Sequence, residues 1–190
     1  MIIYKYNTIF IHIPKNAGTS IETYFKNKDF KKQPRKHADI EDIKKDFLSL
    51  YRSYNKFAII RNPYDRMVSW YFFIKQKLTS MEKTYKMAPF NDWIKDPSKY
   101  WKVIRDPISF LKPQHEWIDE TVEIIKFENL HVELNNFFKK IGNPYFRTID
   151  LPIINKSKHK HYLEYYNKKS LDIVYDKYKK DFKYFNYKKI

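Results

Sequence analysis

The chain has no cysteine and only two glycines, Gly18 and Gly142, among its 190 residues. The first absence excludes a disulfide framework and any thiolate-bound metal site. The second makes each glycine informative, because backbone that needs a missing Cβ is confined to two places. Long apolar runs are lacking as well: nothing approaches the ~20 consecutive apolar residues that cross a membrane as a helix. No charged-then-apolar leader precedes the first strand pattern. These absences predict a protein without a membrane anchor, located in the cytoplasm. Arginine is scarce too, with six residues against 32 lysines.

The formal net charge of +16 comes from those lysines, which are spread along the chain among many Asn, Ile, Tyr and Phe residues. Basic stretches such as Lys156 to Lys160 and the Lys179–Lys180 pair read as solvated faces, so no nucleic-acid partner is expected. A basic surface would still attract a polyanionic ligand or acceptor. Hydrophobic residues make up 43% of the chain and aromatic residues 19%, enough for a packed core. At this length a chain buries roughly 70% of its unfolded surface, and a single domain over 1–190 is expected.

What the chain does have is a run from Ile9 to Ile21, IFIHIPKNAGTSI, in which an apolar strand pattern breaks at Pro14 into a small polar loop and then opens a helix. Gly18 lies in this loop, where a missing Cβ would let backbone approach an anion. Thr19 and Ser20 place hydroxyls and backbone N–H groups at the helix opening, and Lys15 adds a full charge beside them. The loop therefore reads as a phosphate binder, with a plain strand-to-helix turn as the alternative. It is not the nucleotide triphosphatase loop, in which the lysine follows the glycines and a hydroxyl reaches Mg²⁺; here Lys15 precedes the one glycine.

A second strand-to-helix junction lies at Phe57 to Phe73, FAIIRNPYDRMVSWYFF. Asn62 suits an N-cap and Pro63 the first helical position, while Met67, Tyr71, Ile74 and Leu78 follow a helical period. Arg61 thus ends a strand beside a helix opening, with Ser69 two turns in. A planar guanidinium there suits a phosphate, though a surface pair with Asp65 would also account for it. No aspartate ends this strand to hold Mg²⁺, as phosphoryl-transfer loops require.

Strand patterns at Thr8–Ile13, Phe57–Arg61 and Thr121–Phe127, each followed by a helical pattern, predict an α/β fold with a parallel sheet covered on both faces. Helices are expected from Ala38 to Tyr51, with Ile40, Ile43, Phe47 and Leu50 inward, from Glu128 to Ile141, ending at Gly142, and from Ser170 to Phe185. Segments 80–115 and 143–160 lack clear periodicity and read as acceptor-facing loops.

The two anion-binding junctions, in this order and spacing, resemble those of the PAPS-dependent sulfotransferases, where PAPS is 3′-phosphoadenosine-5′-phosphosulfate. The likeness is nearest to the short soluble members of the carbohydrate-type branch, and KHADIEDIK, FLKPQHEWI, IIKFENL, LPIINKS and VYDKYKKDFKYFNY extend it almost from end to end. It implies a three-layer, P-loop-like fold with a central parallel sheet flanked by helices. It also implies a loop of Lys15, Asn16, Ala17, Gly18, Thr19 and Ser20 on the 5′-phosphosulfate, and Arg61 and Ser69 on the 3′-phosphate. Lys156 and Ser157 would close over the nucleotide. The implied activity is transfer of a sulfuryl group from PAPS, the co-substrate, to an acceptor hydroxyl, on a carbohydrate.

Sulfuryl transfer proceeds roughly in line through a loose transition state, with charge growing on the leaving phosphate oxygen. Lys15 is placed to stabilise that oxygen, so no metal is required. The acceptor must lose a proton, and imidazole is the natural base near neutral pH. Of six histidines, His37 is the choice, since the resemblance puts a base after the first helix and before the second strand. A surface His37 capping the following helix is the alternative. His115 ranks second, and His12, alternating within a strand, is expected to pack under the loop. Glu22 reads as a first-turn dipole partner and Gln114 as a group that could orient acceptor. A small-molecule or nucleotide kinase and a non-catalytic nucleotide- or polyanion-binding protein are the other function classes considered. The kinase would need Mg²⁺ ligands and a Walker lysine, neither of which is visible.

Overall fold

Apolar runs beginning at Thr8 and Phe57 become parallel, adjacent strands because both of their faces are covered. The computed structural model describes residues 1–25, 32–80, 87–104, 110–142, 147–152, 154 and 159–190. Strand β1 (Ile2–Ile3) pairs antiparallel with β2 (Thr8–Ile11), which pairs in parallel with β3 (Asn55–Ile60), itself parallel to β4 (Glu123–Lys126). The sheet is therefore mixed, with order β1-β2-β3-β4, and not wholly parallel as the sequence pattern suggests. The antiparallel strand is a two-residue edge joined to β2 through a short 3₁₀ turn at Tyr4–Tyr6. Asn7 (φ 46) takes a left-handed conformation there, which asparagine tolerates.

Two compact units make up the chain. The first holds Met1–Arg61 and Gln114–Asn155, and includes the whole sheet. Its core joins Phe10, Phe57, Ile59 and Ile125 of the sheet to Ile21 and Phe25 and to Leu134, Phe137 and Phe138. Those last three lie on one side of a helix at Leu130–Lys140, as the apolar stripe demands. Gly142 follows at φ +63, the left-handed position that ends such a helix. The helix expected over Ala38–Tyr51 is two helices, α2 (Ile40–Asp46) and α3 (Leu48–Ser53), broken at Phe47 (φ −140, ψ 39). Asp39 caps α2 through the Glu41 and Asp42 N–H groups.

The second unit holds Asn62–Pro113 and Lys156–Ile190. A long helix at Pro63–Ser80 begins as the sequence indicates: Asn62 Oδ1 accepts from the Tyr64 N–H at 3.0 Å, and the Asn62 carbonyl accepts from the Arg66 N–H at 2.9 Å. Its face of Met67, Tyr71, Ile74 and Leu78 is buried with Trp70, Trp93 and Phe110 against Val174, Tyr178 and Phe182 of a helix at Lys168–Tyr184. No helix among the described residues is long and apolar enough to cross a membrane.

Candidate active site

Two charged arms meet in the first unit. The loop after β2 carries Lys15 at φ 72 and Ala17 at φ 58, both in the left-handed region, and enters helix α1 (Gly18–Tyr24). Such values cost a non-glycine residue roughly 1–3 kcal/mol, so surrounding bonds must hold the loop. Asn16 supplies them: it is fully buried, and its Nδ2 donates to the Ile59 carbonyl and to Gln114 Oε1, both at 2.7 Å. The second arm is Arg61, one residue beyond β3. Its guanidinium donates to the Lys15 carbonyl at 3.2 Å and lies over the Phe127 ring, 4.2 Å from the centroid.

Bringing these cations together in a partly buried place has an electrostatic consequence. Burial, and after it the charge of Arg61, lowers the Lys15 pKa from 10.5 to about 8. The charge of an anion bound between the arms would oppose both effects and favour the protonated lysine.

Beneath the loop lies a second constellation. His12, at the end of β2, is buried, and its Nδ1 is 2.7 Å from Glu22 Oε1. Lys36 Nζ lies 3.2 Å from the other Glu22 oxygen. Burial drives His12 down to about 4 against the opposing pull of Glu22. Burial alone would raise the Glu22 carboxyl, but the His12 hydrogen bond, the His12 charge and Lys36 outweigh it, and Glu22 sits at about 2. At neutral pH we therefore take the pair as neutral imidazole and carboxylate, with His12 Nδ1–H donating. Glu22 lies in the second turn of α1 and bonds to His12 and Lys36, so it is not the first-turn dipole partner that its place in the sequence suggests.

His37 stands against this pair, its ring centroid 4.5 Å from that of His12, and its Nδ1 is 3.2 Å from the His12 carbonyl oxygen. A carbonyl can only accept, so Nδ1 of His37 carries the proton in this contact. A model of the sulfotransferase family matches residues 1–188. The chain belongs to the sulfotransferase family. Comparison with curated proteins and with solved structures finds no match.

In this sulfotransferase Gly18 opens helix α1. That glycine is helical and does not need a left-handed conformation; what it provides is room, because a Cβ there would collide with the His12 ring. Thr19 is half-buried in the first turn of α1, and the buried Ser20 hydroxyl accepts from the Ile154 N–H at 3.4 Å. Ser69 is buried on the helix at Pro63–Ser80 of the second unit. Lys156 and Ser157 lie outside the described residues. Gln114 is fully buried against the Asn16 amide and the Arg61 backbone. His115 is half-buried beside it. No group of three His, Asp or Glu side chains that could hold a metal occurs among the described residues.

Sequence reasoning missed the buried role of Asn16, the brace of Phe127 under Arg61 and the Lys36–Glu22 ion pair.

Proposed function

We propose that the protein transfers a sulfuryl group from PAPS to a hydroxyl of a carbohydrate acceptor, within a single three-layer, P-loop-like domain spanning 1–190. The observation that carries this reading is the convergence of Lys15 and Arg61, bonded through the Lys15 carbonyl, at the ends of two adjacent parallel strands. Family membership supports sulfuryl transfer, and the resemblance of the motifs to the carbohydrate-type branch supports the donor and the acceptor class.

In this reading the loop of Lys15, Asn16, Ala17, Gly18, Thr19 and Ser20 holds the 5′-phosphosulfate, and Arg61 takes the 3′-phosphate. The resemblance gives Ser69 to the same phosphate, which Ser69→Ala tests. His37 Nε2 takes the proton from the acceptor hydroxyl as its oxygen bonds to sulfur. The bond from sulfur to the bridging phosphate oxygen breaks, and that oxygen keeps the electron pair, where Lys15 stabilises it. The products are a sulfate ester and 3′,5′-ADP, and the two cations supply the positive field without a metal.

Thermal shift and calorimetry with 3′,5′-ADP, 5′-AMP, and ATP with Mg²⁺ test the reading. 3′,5′-ADP should bind roughly tenfold or more tighter than 5′-AMP, because removing the 3′-phosphate leaves a charged donor without its ligand, and Arg61→Ala should erase the difference. Equal affinities, or a preference for ATP with Mg²⁺, would overturn it.

A further inference from the structure

We propose that Gln114 is the positioning residue that couples the two cationic arms, setting Arg61 directly and the Lys15 loop through Asn16. The proposal rests on the phosphate assignment above and adds to it a residue that touches neither substrate.

In a fully buried setting the Gln114 amide makes at least three hydrogen bonds to described residues. The Arg61 N–H donates to Oε1 at 3.0 Å, and Nε2 donates to the Arg61 carbonyl at 2.8 Å. This is the two-bond exchange that one strand residue makes with another. It falls just past the last ladder pair of β3 and β4, Ile60 with Lys126. The side chain therefore prolongs the pairing of β3 by one residue, to the residue that carries the guanidinium. The second lone pair of Oε1 takes the Asn16 Nδ2–H at 2.7 Å, while Asn16 also donates to the Ile59 carbonyl.

Neither amide can be turned over. Rotating Asn16 would face its oxygen toward two acceptors, and rotating Gln114 would set its NH₂ against two donors and its oxygen against the Arg61 carbonyl. The network thus has one arrangement, and it fixes two things at once. One is the backbone of Arg61; the other is the centre of a loop whose flanking residues, Lys15 and Ala17, are both held at positive φ. Gln33 offers an internal comparison: its amide makes the same exchange with Ile2, at 2.8 and 3.0 Å, but Gln33 is itself exposed and the edge strand it meets has no charged arm to place.

The test is a double-mutant cycle on the full chain, read as 3′,5′-ADP affinity by calorimetry well below the melting temperature. Gln114→Met keeps length and burial but removes all three bonds. With Gln114 intact, Arg61→Ala should weaken 3′,5′-ADP by roughly tenfold or more. In the Gln114→Met background the same Arg61→Ala change should cost less than about threefold, because an arginine no longer held in place has little left to lose. A merely stabilising glutamine would leave the full cost of Arg61→Ala in both backgrounds, and that result overturns the proposal. If Arg61→Ala costs nothing with Gln114 intact, the 3′-phosphate assignment fails first and the proposal falls with it. Should Gln114→Met not fold, Gln114→Asn, one methylene too short to reach both arms, replaces it in the cycle. If neither variant folds, Gln114 is a structural member of the sheet end and the proposal is wrong.

Discussion

The imidazole of His12 fills the space that a side chain at Gly18 would need. The ring cannot easily yield, because it is buried, bonded to Glu22 and stacked on Phe10 at 5.6 Å between centroids. Gly18→Ala should therefore destabilise the fold by about 1–3 kcal/mol, as overpacking does, lowering Tm by roughly 2–12 °C for a chain of this size. Combining it with His12→Ala should recover part of that loss. A Gly18→Ala protein as stable as the parent would mean that the ring has somewhere else to go.

Acid stability should follow the same pair. His12 is held at about 4 against an ordinary 6.5, so between those values the unfolded chain takes up a proton that the folded one refuses. Glu22, held at about 2 against 4.5, acts in the same direction lower down. Both groups make stability fall as pH falls, first from 6.5 toward 4 and then toward 2. Urea midpoints measured from pH 7 to pH 4 should drop, and His12→Asn should flatten the upper part of that slope. An unchanged slope in the variant would assign the acid sensitivity elsewhere.

If Lys15 contacts the nucleotide as proposed, binding should depend on pH at the other end of the scale. With its pKa lowered to about 8, the ligand-free lysine loses its charge as pH rises above that value, whereas a bound phosphate favours the protonated form. Affinity for 3′,5′-ADP should therefore be level below pH 8 and fall by up to about tenfold per pH unit above it. Lys15→Arg, protonated throughout, should remove the fall. A level profile to pH 9.5 in the parent protein would exclude Lys15 from phosphate contact.

Turnover tests His37. In the proposed reaction Nδ1–H rests on the His12 carbonyl and Nε2 takes the acceptor proton, so on that proposal His37→Ala should lower kcat roughly 10²–10⁴-fold. The affinity for 3′,5′-ADP should stay nearly unchanged, since a base that meets acceptor does little to hold the nucleotide. A panel of sugars and simple alcohols serves as the acceptor screen. Near-normal turnover in the variant would pass the role to His115, and lost nucleotide binding would make His37 structural.

Strands β2 and β3 and the inward faces of the longer helices were legible in the sequence because apolar periodicity reports which side of an element is buried. It does not report whether the backbone hydrogen bonds run on unbroken. The stripe of Ile40, Ile43, Phe47 and Leu50 crosses Phe47 without interruption, yet the helix stops and restarts there. A two-residue strand such as β1 is too short to show alternation at all. In the site, Lys15 and Arg61 stood out as charges at strand ends. The amides that lock them together did not, because Asn16 and Gln114 are 98 residues apart and a buried amide leaves no periodic trace.

The Phe127 ring beneath Arg61 bears on how ligand is captured. A guanidinium resting on an aromatic face, with one nitrogen already bonded to the Lys15 carbonyl, has surrendered its rotamer freedom at folding. If Arg61 takes the 3′-phosphate as proposed, an incoming dianion then meets a guanidinium already held in place and waits for no side chain to find its pose. Capture becomes a matter of diffusion through the field of a strongly basic protein, and added salt should slow the arrival of ligand far more than it hastens its departure.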